Sequence, residues 1–169
     1  NFCKALMMFE KAAAAVVPRI TSELISLHSE LLILVLRSKP DGENELVWKQ
    51  SDHAFKVWET SLLANHRHKE ARRDEKGGFF VNVPDKSLLW SPSDGPHQIA
   101  KVYCSEGARL QGRIDDLDAA KLFNILQFCA RFPSEVRDAA VHCNPCRNIS
   151  AHTKKSSMKL SQKEYDVIF

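Results

Sequence analysis

The segment from Phe2 to Arg37 constrains the fold most, because its apolar side chains recur at the spacing of an α-helix. Pro18 interrupts the pattern, so we predict that the helix breaks or kinks there. A chain that opens with such a segment is expected to form a helical bundle. The two apolar runs are Leu6, Phe9, Ala13, Val16 and Val17, followed by Ile20, Leu24, Leu27, Leu31 and Leu34.

The same spacing predicts helices along most of the remaining chain. Lys39–Gly42 is a turn sequence, and a long helix is predicted to follow it from Glu45 to Arg73. Its buried stripe would be Trp48, Phe55, Trp58, Leu62 and Leu63. Further helices are predicted at His97–Cys104 with Pro96 in the first turn, at Leu117–Phe132, at Glu135–His142, at Arg147–His152, and after the capping box Ser161–Glu164.

The fold class predicted from these segments is all-α, with at most a short β element near residues 78–83. Glycines and prolines concentrate between the two halves of the chain. We therefore expect an N-terminal helical region at 1–76, a connector at 77–96 and a second helical region at 97–169. A single continuous domain is the alternative, because 169 residues fit either arrangement.

Composition excludes several classes of protein. The apolar fraction of 44% and the net charge of +3 are typical of a globular protein rather than a disordered one. No apolar run approaches the length of a membrane span, so no membrane association is expected. Five scattered cysteines do not suggest a secreted disulfide framework, so a cytoplasmic, reducing location is predicted. The chain lacks an initiator Met and stops inside a predicted helix, so further domains of a longer chain are expected.

One short motif carries the residue types needed for RNA cleavage. Arg147 and His152 are five positions apart, roughly 140° around a helix, so they flank one face, with Asn148 beside Arg147. Histidine titrates near neutral pH and can transfer protons. The arginine fork holds a phosphate and stabilises charge that develops on it. Such a scheme requires no metal, and no cofactor is predicted.

The sequence Arg147-Asn148, followed by His152, resembles the motif of the HEPN superfamily (higher eukaryotes and prokaryotes nucleotide-binding). That motif is an Arg, often followed by a polar residue, and then a His. The resemblance implies a helical bundle that forms a homodimer, in which two motifs make one composite site. It also implies that His152 is the acid and base, that Arg147 contacts the scissile phosphate and that Asn148 orients one of them. Attack by the 2′-hydroxyl would leave a cyclic phosphate.

Other HEPN domains do not cleave RNA, and the resemblance therefore leaves alternatives. Such domains bind RNA or self-associate within immune and ubiquitin-ligase proteins. The preferred function is RNA binding or metal-independent endoribonuclease activity, with RNA and a second copy of the chain as partners. The first alternative is a non-catalytic homotypic interaction module in a larger innate-immune or signalling protein. The second alternative is a purely structural helical scaffold.

A basic stretch supplies candidate RNA contacts outside the motif. It lies at the end of the predicted Glu45–Arg73 helix, where its positive side chains could hold phosphates. The alternative is an ordinary solvated helix end. The residues predicted to bind RNA are Arg67, Lys69, Arg72 and Arg73.

The cysteines near the motif raise the question of a metal site. Four possible zinc ligands lie within eleven residues, but such dense spacing is atypical of a structural zinc site. They are His142, Cys143, Cys146 and His152. We therefore predict no metal, and expect Cys146 to pack as a small apolar residue beside the motif.

Overall fold

The computed structural model describes residues 2–67, 84–104, 114 and 117–152, with the backbone alone for 2–6, 9, 10 and 147–152. In these residues the β pairing is limited to one isolated antiparallel bridge, between His66 and Cys129. The prediction of an all-α fold is confirmed, and the predicted β element near 78–83 lies outside the described residues. The helices are α1 (Phe2–Arg37), α2 (Glu45–Gln50), α3 (Asp52–Ala64), α4 (Gly95–Tyr103), α5 (Ala119–Phe128) and α6 (Ser134–His152).

The long first helix, α1, runs without a break through Pro18, so the predicted break is wrong. An internal proline costs a helix about 3 kcal/mol, but the apolar positions on either side of Pro18 remain in phase. One continuous helix therefore buries the core positions on both sides of Pro18, from Ala13 to Val35, and this burial outweighs the cost. Leu34 was predicted to be buried but is 44% exposed, and Val35 occupies the core position instead. Among the described residues, the buried apolar side chains of α1 are Ala13, Ile20, Leu24, Leu27, Leu31 and Val35.

The predicted Glu45–Arg73 helix begins at the right residue but is two shorter helices, α2 and α3, the second ending at Ala64. Ser51 separates them because its hydroxyl accepts a hydrogen bond from the Ala54 amide at 3.0 Å. That bond caps a new helix instead of continuing the old one. The indole Nε1 of Trp48 donates to the Val35 carbonyl at 2.9 Å, which fixes α2 against the end of α1.

The helices of the second half begin within two residues of their predicted starts, at Gly95 instead of His97 and at Ala119 instead of Leu117. Pro96 lies in the first turn of α4, and the Asp118 carboxylate caps α5 by accepting from the Lys121 amide at 3.0 Å. By contrast, the separate helices predicted at Glu135–His142 and Arg147–His152 are one helix, α6, which contains Pro145. Half-buried Cys143 and buried Ala140 pack into the core along this helix.

A single hydrophobic cluster joins buried side chains of all six helices in the described part of the chain. α1 packs against α3, α4, α5 and α6 and so forms the centre of the bundle. The division into 1–76, 77–96 and 97–169 stays a prediction, although both helical regions contribute to this one cluster. In the described part of the chain, no helix combines the length and apolar character that crossing a membrane requires.

Candidate functional site

The Arg-Asn-x3-His motif lies at the C-terminal end of α6 as the structure describes it. The backbone of Arg147, Asn148 and His152 is helical, and these residues continue the helix that starts at Ser134. Their side chains lie outside the described atoms. Because the helix is continuous, the angular offset of roughly 140° between Arg147 and His152 applies to their backbone positions.

A hydrogen bond between two amides fixes the helix that carries the motif. α5 and α6 are antiparallel neighbours, and Asn144 Nδ2 donates to Asn124 Oδ1 at 2.9 Å across their contact. Asn124 is buried and Asn144 is half-buried. Counting outward along both helices from this pair, Arg147 comes level with Lys121, in the first turn of α5. By this count we expect the start of the motif, at Arg147, beside the first turn of α5.

The N-terminus of α5 has mixed charge. The Asp118 carboxylate caps the helix and also forms an ion pair with the Lys121 ammonium at 3.5 Å. A helix N-terminus attracts anions, and a lysine in its first turn adds to this attraction. The Asp118 carboxylate opposes it in part.

The two cysteines of α6 pack against protein rather than forming an evident metal site. Cys143 and Cys146 are both half-buried, and His142 is exposed. Burial raises the pKa of the Cys143 thiol, and the nearby Cys146 raises it further. Among the described residues, no group of three or more His, Cys, Asp or Glu side chains is arranged to hold a metal ion. The side chain of His152, the fourth ligand considered, lies outside the described atoms.

The predicted basic RNA contacts are only partly described. Arg67 follows α3 directly, and its Nη1 lies 3.5 Å from Asp138 Oδ1 on α6. Its backbone amide donates to the Phe128 carbonyl at 2.8 Å. The guanidinium therefore pairs with a carboxylate, which weakens its attraction for phosphate. Lys69, Arg72 and Arg73 lie outside the described residues, and the helix predicted to carry them ends at Ala64.

A buried aromatic and polar cluster was not predicted from the sequence. The His66 ring stacks between Tyr103 and Phe128, with centroid distances of 5.2 and 5.8 Å. Burial raises the pKa of the Tyr103 hydroxyl well above its ordinary value, and the neighbouring Cys129 adds to this rise. Burial also raises the pKa of Cys129. Both groups are therefore neutral near pH 7, and the cluster joins the ends of α3, α4 and α5 as a structural element.

The fold and the motif together define a class: an all-α protein with an Arg-Asn-x3-His sequence at the end of a helical hairpin. The chain belongs to the DUF4559 family, described as a domain of unknown function, whose family model matches residues 1–167. No curated protein and no solved structure matches the chain.

Proposed function

We propose that this chain is an HEPN-type domain that binds RNA and cleaves it without a metal ion, with a composite site at a homodimer interface. The observation that carries the proposal is the position of Arg147, Asn148 and His152 on one continuous helix. That helix is held by the Asn124–Asn144 bond one turn before the motif. A fixed helix gives the reacting groups the positional precision that catalysis needs.

The chemistry follows from the residue types. A neutral imidazole of His152 removes the proton of a ribose 2′-hydroxyl, whose oxygen then bonds to the adjacent phosphorus. The bond from phosphorus to the 5′-oxygen breaks, and a protonated His152 from the second copy returns a proton to that oxygen. Arg147 stabilises the charge on the phosphoryl oxygens. The products are a cyclic phosphate and a free 5′-hydroxyl.

A second candidate function is a non-catalytic homotypic interaction module in a larger innate-immune or signalling protein. The outer side of α1 favours it, because several large apolar side chains there are exposed to solvent. An apolar surface of this kind marks a contact with another protein. The exposed residues are Met7, Met8, Ile25, Ile33 and Leu34.

The test is cleavage of labelled single-stranded RNA in the presence of EDTA. The full chain is compared with Arg147→Ala and His152→Ala. Matched controls are His142→Ala, an exposed histidine on the same helix, and Arg37→Ala, an exposed arginine at the end of α1. Loss of a proton-transferring or phosphate-binding group should lower the rate by about a hundredfold or more.

The proposal stands if the parent and both controls release cyclic-phosphate ends and both motif variants are folded but inactive. An inert parent that still self-associates would favour the interaction module. Cleavage that survives in His152→Ala would reject the assigned acid and base.

A further inference from the structure

An open cleft of about 560 Å³ lies between α2, the start of α3 and the segment that follows residue 84. It is far along the chain from the motif on α6, and its lining combines apolar and basic side chains. Its volume is within the range of sites that bind small molecules or the anchoring side chains of peptides. The residues that matter below are Leu46, Lys49, Phe55, Lys86 and Trp90.

The apolar part of this cleft is built on a fixed helix. Trp48 anchors α2 through its bond to the Val35 carbonyl, and this leaves the two preceding side chains turned outward. Leu46 is 70% exposed and Val47 is 64% exposed, whereas Trp48 in the same helix is buried in the core. Leu46 lines the cleft and Val47 does not, so Leu46 supplies the exposed apolar surface on this side of the cleft.

The charged residues that line the cleft are both lysines. Lys86 Nζ lies 3.1 Å from Asp52 Oδ1, and Lys49 pairs with Glu45 one turn earlier on α2. Neither carboxylate lines the cleft, and Asp52 is almost fully exposed. The Lys86–Asp52 pair is exposed on both sides and is therefore weak, and the Lys49–Glu45 pair, in which Lys49 is 23% exposed, is a single i,i+4 pair on a helix surface. An incoming carboxylate can therefore compete for both lysines. The cleft therefore presents positive charge at the edge of an apolar floor.

The geometry favours a peptide over a stacked nucleotide. One side of the Phe55 ring faces the Lys86 ammonium, 4.3 Å from the ring centroid, and the Trp58 ring stacks against Phe55 at 5.9 Å. The Phe55 ring is thus already in contact with both side chains and is poorly placed to stack on a nucleotide base. The exposed contact surface is instead aliphatic at Leu46, which lines the cleft and is 70% exposed, and it suits an apolar side chain.

We propose that this cleft binds an acidic peptide segment of a partner protein, in which a large apolar side chain is flanked by carboxylates. The apolar side chain enters between Leu46 and Trp90. The flanking carboxylates pair with Lys49 and Lys86. This partner site stands independently of the proposed RNA chemistry, since it shares no residue with the motif on α6.

The experiment selects peptides from a displayed random library on the full chain. The selected peptides are then measured by fluorescence anisotropy on the parent, on Lys49→Glu/Lys86→Glu and on Leu46→Ser. Lys56→Glu is the matched control, because Lys56 is an exposed lysine of α3 that does not line the cleft. Thermal melts of all variants check folding.

The expected peptides are rich in Asp and Glu around one Leu, Phe or Trp. Both cleft variants should weaken their binding by about tenfold or more, and Lys56→Glu should leave it unchanged. Selection that yields no binder, or binders without an acidic excess, overturns the proposal. Equal binding to parent and double variant also overturns it. Binding of an oligouridylate that is lost in Lys49→Glu/Lys86→Glu would assign the cleft to nucleic acid instead.

Discussion

His28 is a titratable side chain held inside the bundle. It is 2% exposed, and its Nε2 lies 2.6 Å from the Leu89 carbonyl, which identifies Nε2 as the protonated nitrogen of the neutral ring. Burial lowers the pKa of His28 below its ordinary value of 6.5, and the bond to Leu89, which favours the charged form, only partly offsets this effect. The fold therefore prefers the neutral imidazole.

This preference predicts a loss of stability in acid. The unfolded chain takes up a proton at His28 near pH 6.5, whereas the folded chain takes it up only at lower pH. The contribution of His28 is therefore complete above about pH 6.5 and is lost as the pH falls from there toward the lowered folded pKa. We expect a slope of at most about 1.4 kcal/mol per pH unit from this one group.

Urea unfolding of the parent and of His28→Gln from about pH 8 to about pH 5 measures this slope. Gln keeps a donor for the Leu89 carbonyl but does not titrate, so its profile should be flatter in the acid range. Parallel profiles for the two proteins would contradict the assignment to His28.

Gly95 at the start of α4 leaves room for the same histidine. A Cβ at this position would overlap the His28 ring, so Gly95→Ala should destabilise the protein by about 1–3 kcal/mol through overpacking. Helix propensity alone predicts the opposite sign, because alanine is favoured over glycine in a helix. Unfolding of Gly95→Ala, His28→Ala and the double variant checks this. The cost of Gly95→Ala should shrink once the ring is removed, and strict additivity would exclude the clash.

Local signals predicted only part of what individual residues do. The position of Pro96 in the first turn of a helix depends on its immediate neighbours, so the sequence was sufficient for it, whereas the helix predicted from Leu117 begins only after the Asp118 cap. The burial of His28 and His66 depends on Leu89, Tyr103 and Phe128, which are distant along the chain. A histidine pattern alone gives no indication of such partners.

The elements show the same limit at a larger scale. Ser51 followed by Asp52 is an N-cap sequence, yet the apolar stripe from Trp48 to Leu63 concealed the boundary because its spacing continues across it. Conversely, the sequence predicted separate helices at Glu135–His142 and Arg147–His152, whereas α6 packs against α5 and is continuous through Pro145. A local cap decided the first case and packing between helices the second, and periodicity within one segment contains neither.

The α5–α6 contact yields a test at the scale of elements. Asn144→Ala removes the donor to Asn124 Oδ1 in a largely buried contact, so the free energy of unfolding should fall by about 1–3 kcal/mol. His142→Ala, on the exposed side of the same helix, should change it by less than about 0.5 kcal/mol. Chemical denaturation of both variants measures the difference, and equal effects would show that the amide bond does not hold α6 in place.

For the whole molecule, the sequence predicted the class of fold because helical spacing recurs in nearly every segment. The arrangement of the helices around α1 was not predictable, since it depends on which apolar stripes meet. The same reasoning applies to the candidate site. The sequence supplies Arg147, Asn148 and His152, but whether two copies combine them is a property of surfaces that form only after folding.

The proposed composite site makes a quantitative prediction for mixed dimers. Wild-type chain is mixed in equal amounts with an Arg147→Ala/His152→Ala chain and incubated until the subunits exchange. If each site needs the motifs of both copies, only wild-type pairs are active, and they make up about one quarter of randomly formed dimers. Sites contained within one chain would instead retain about one half of the activity of undiluted wild type. RNA cleavage is therefore measured across a series of mixing ratios. A composite site predicts that activity rises as the square of the wild-type fraction, and a linear rise would place the chemistry within a single chain.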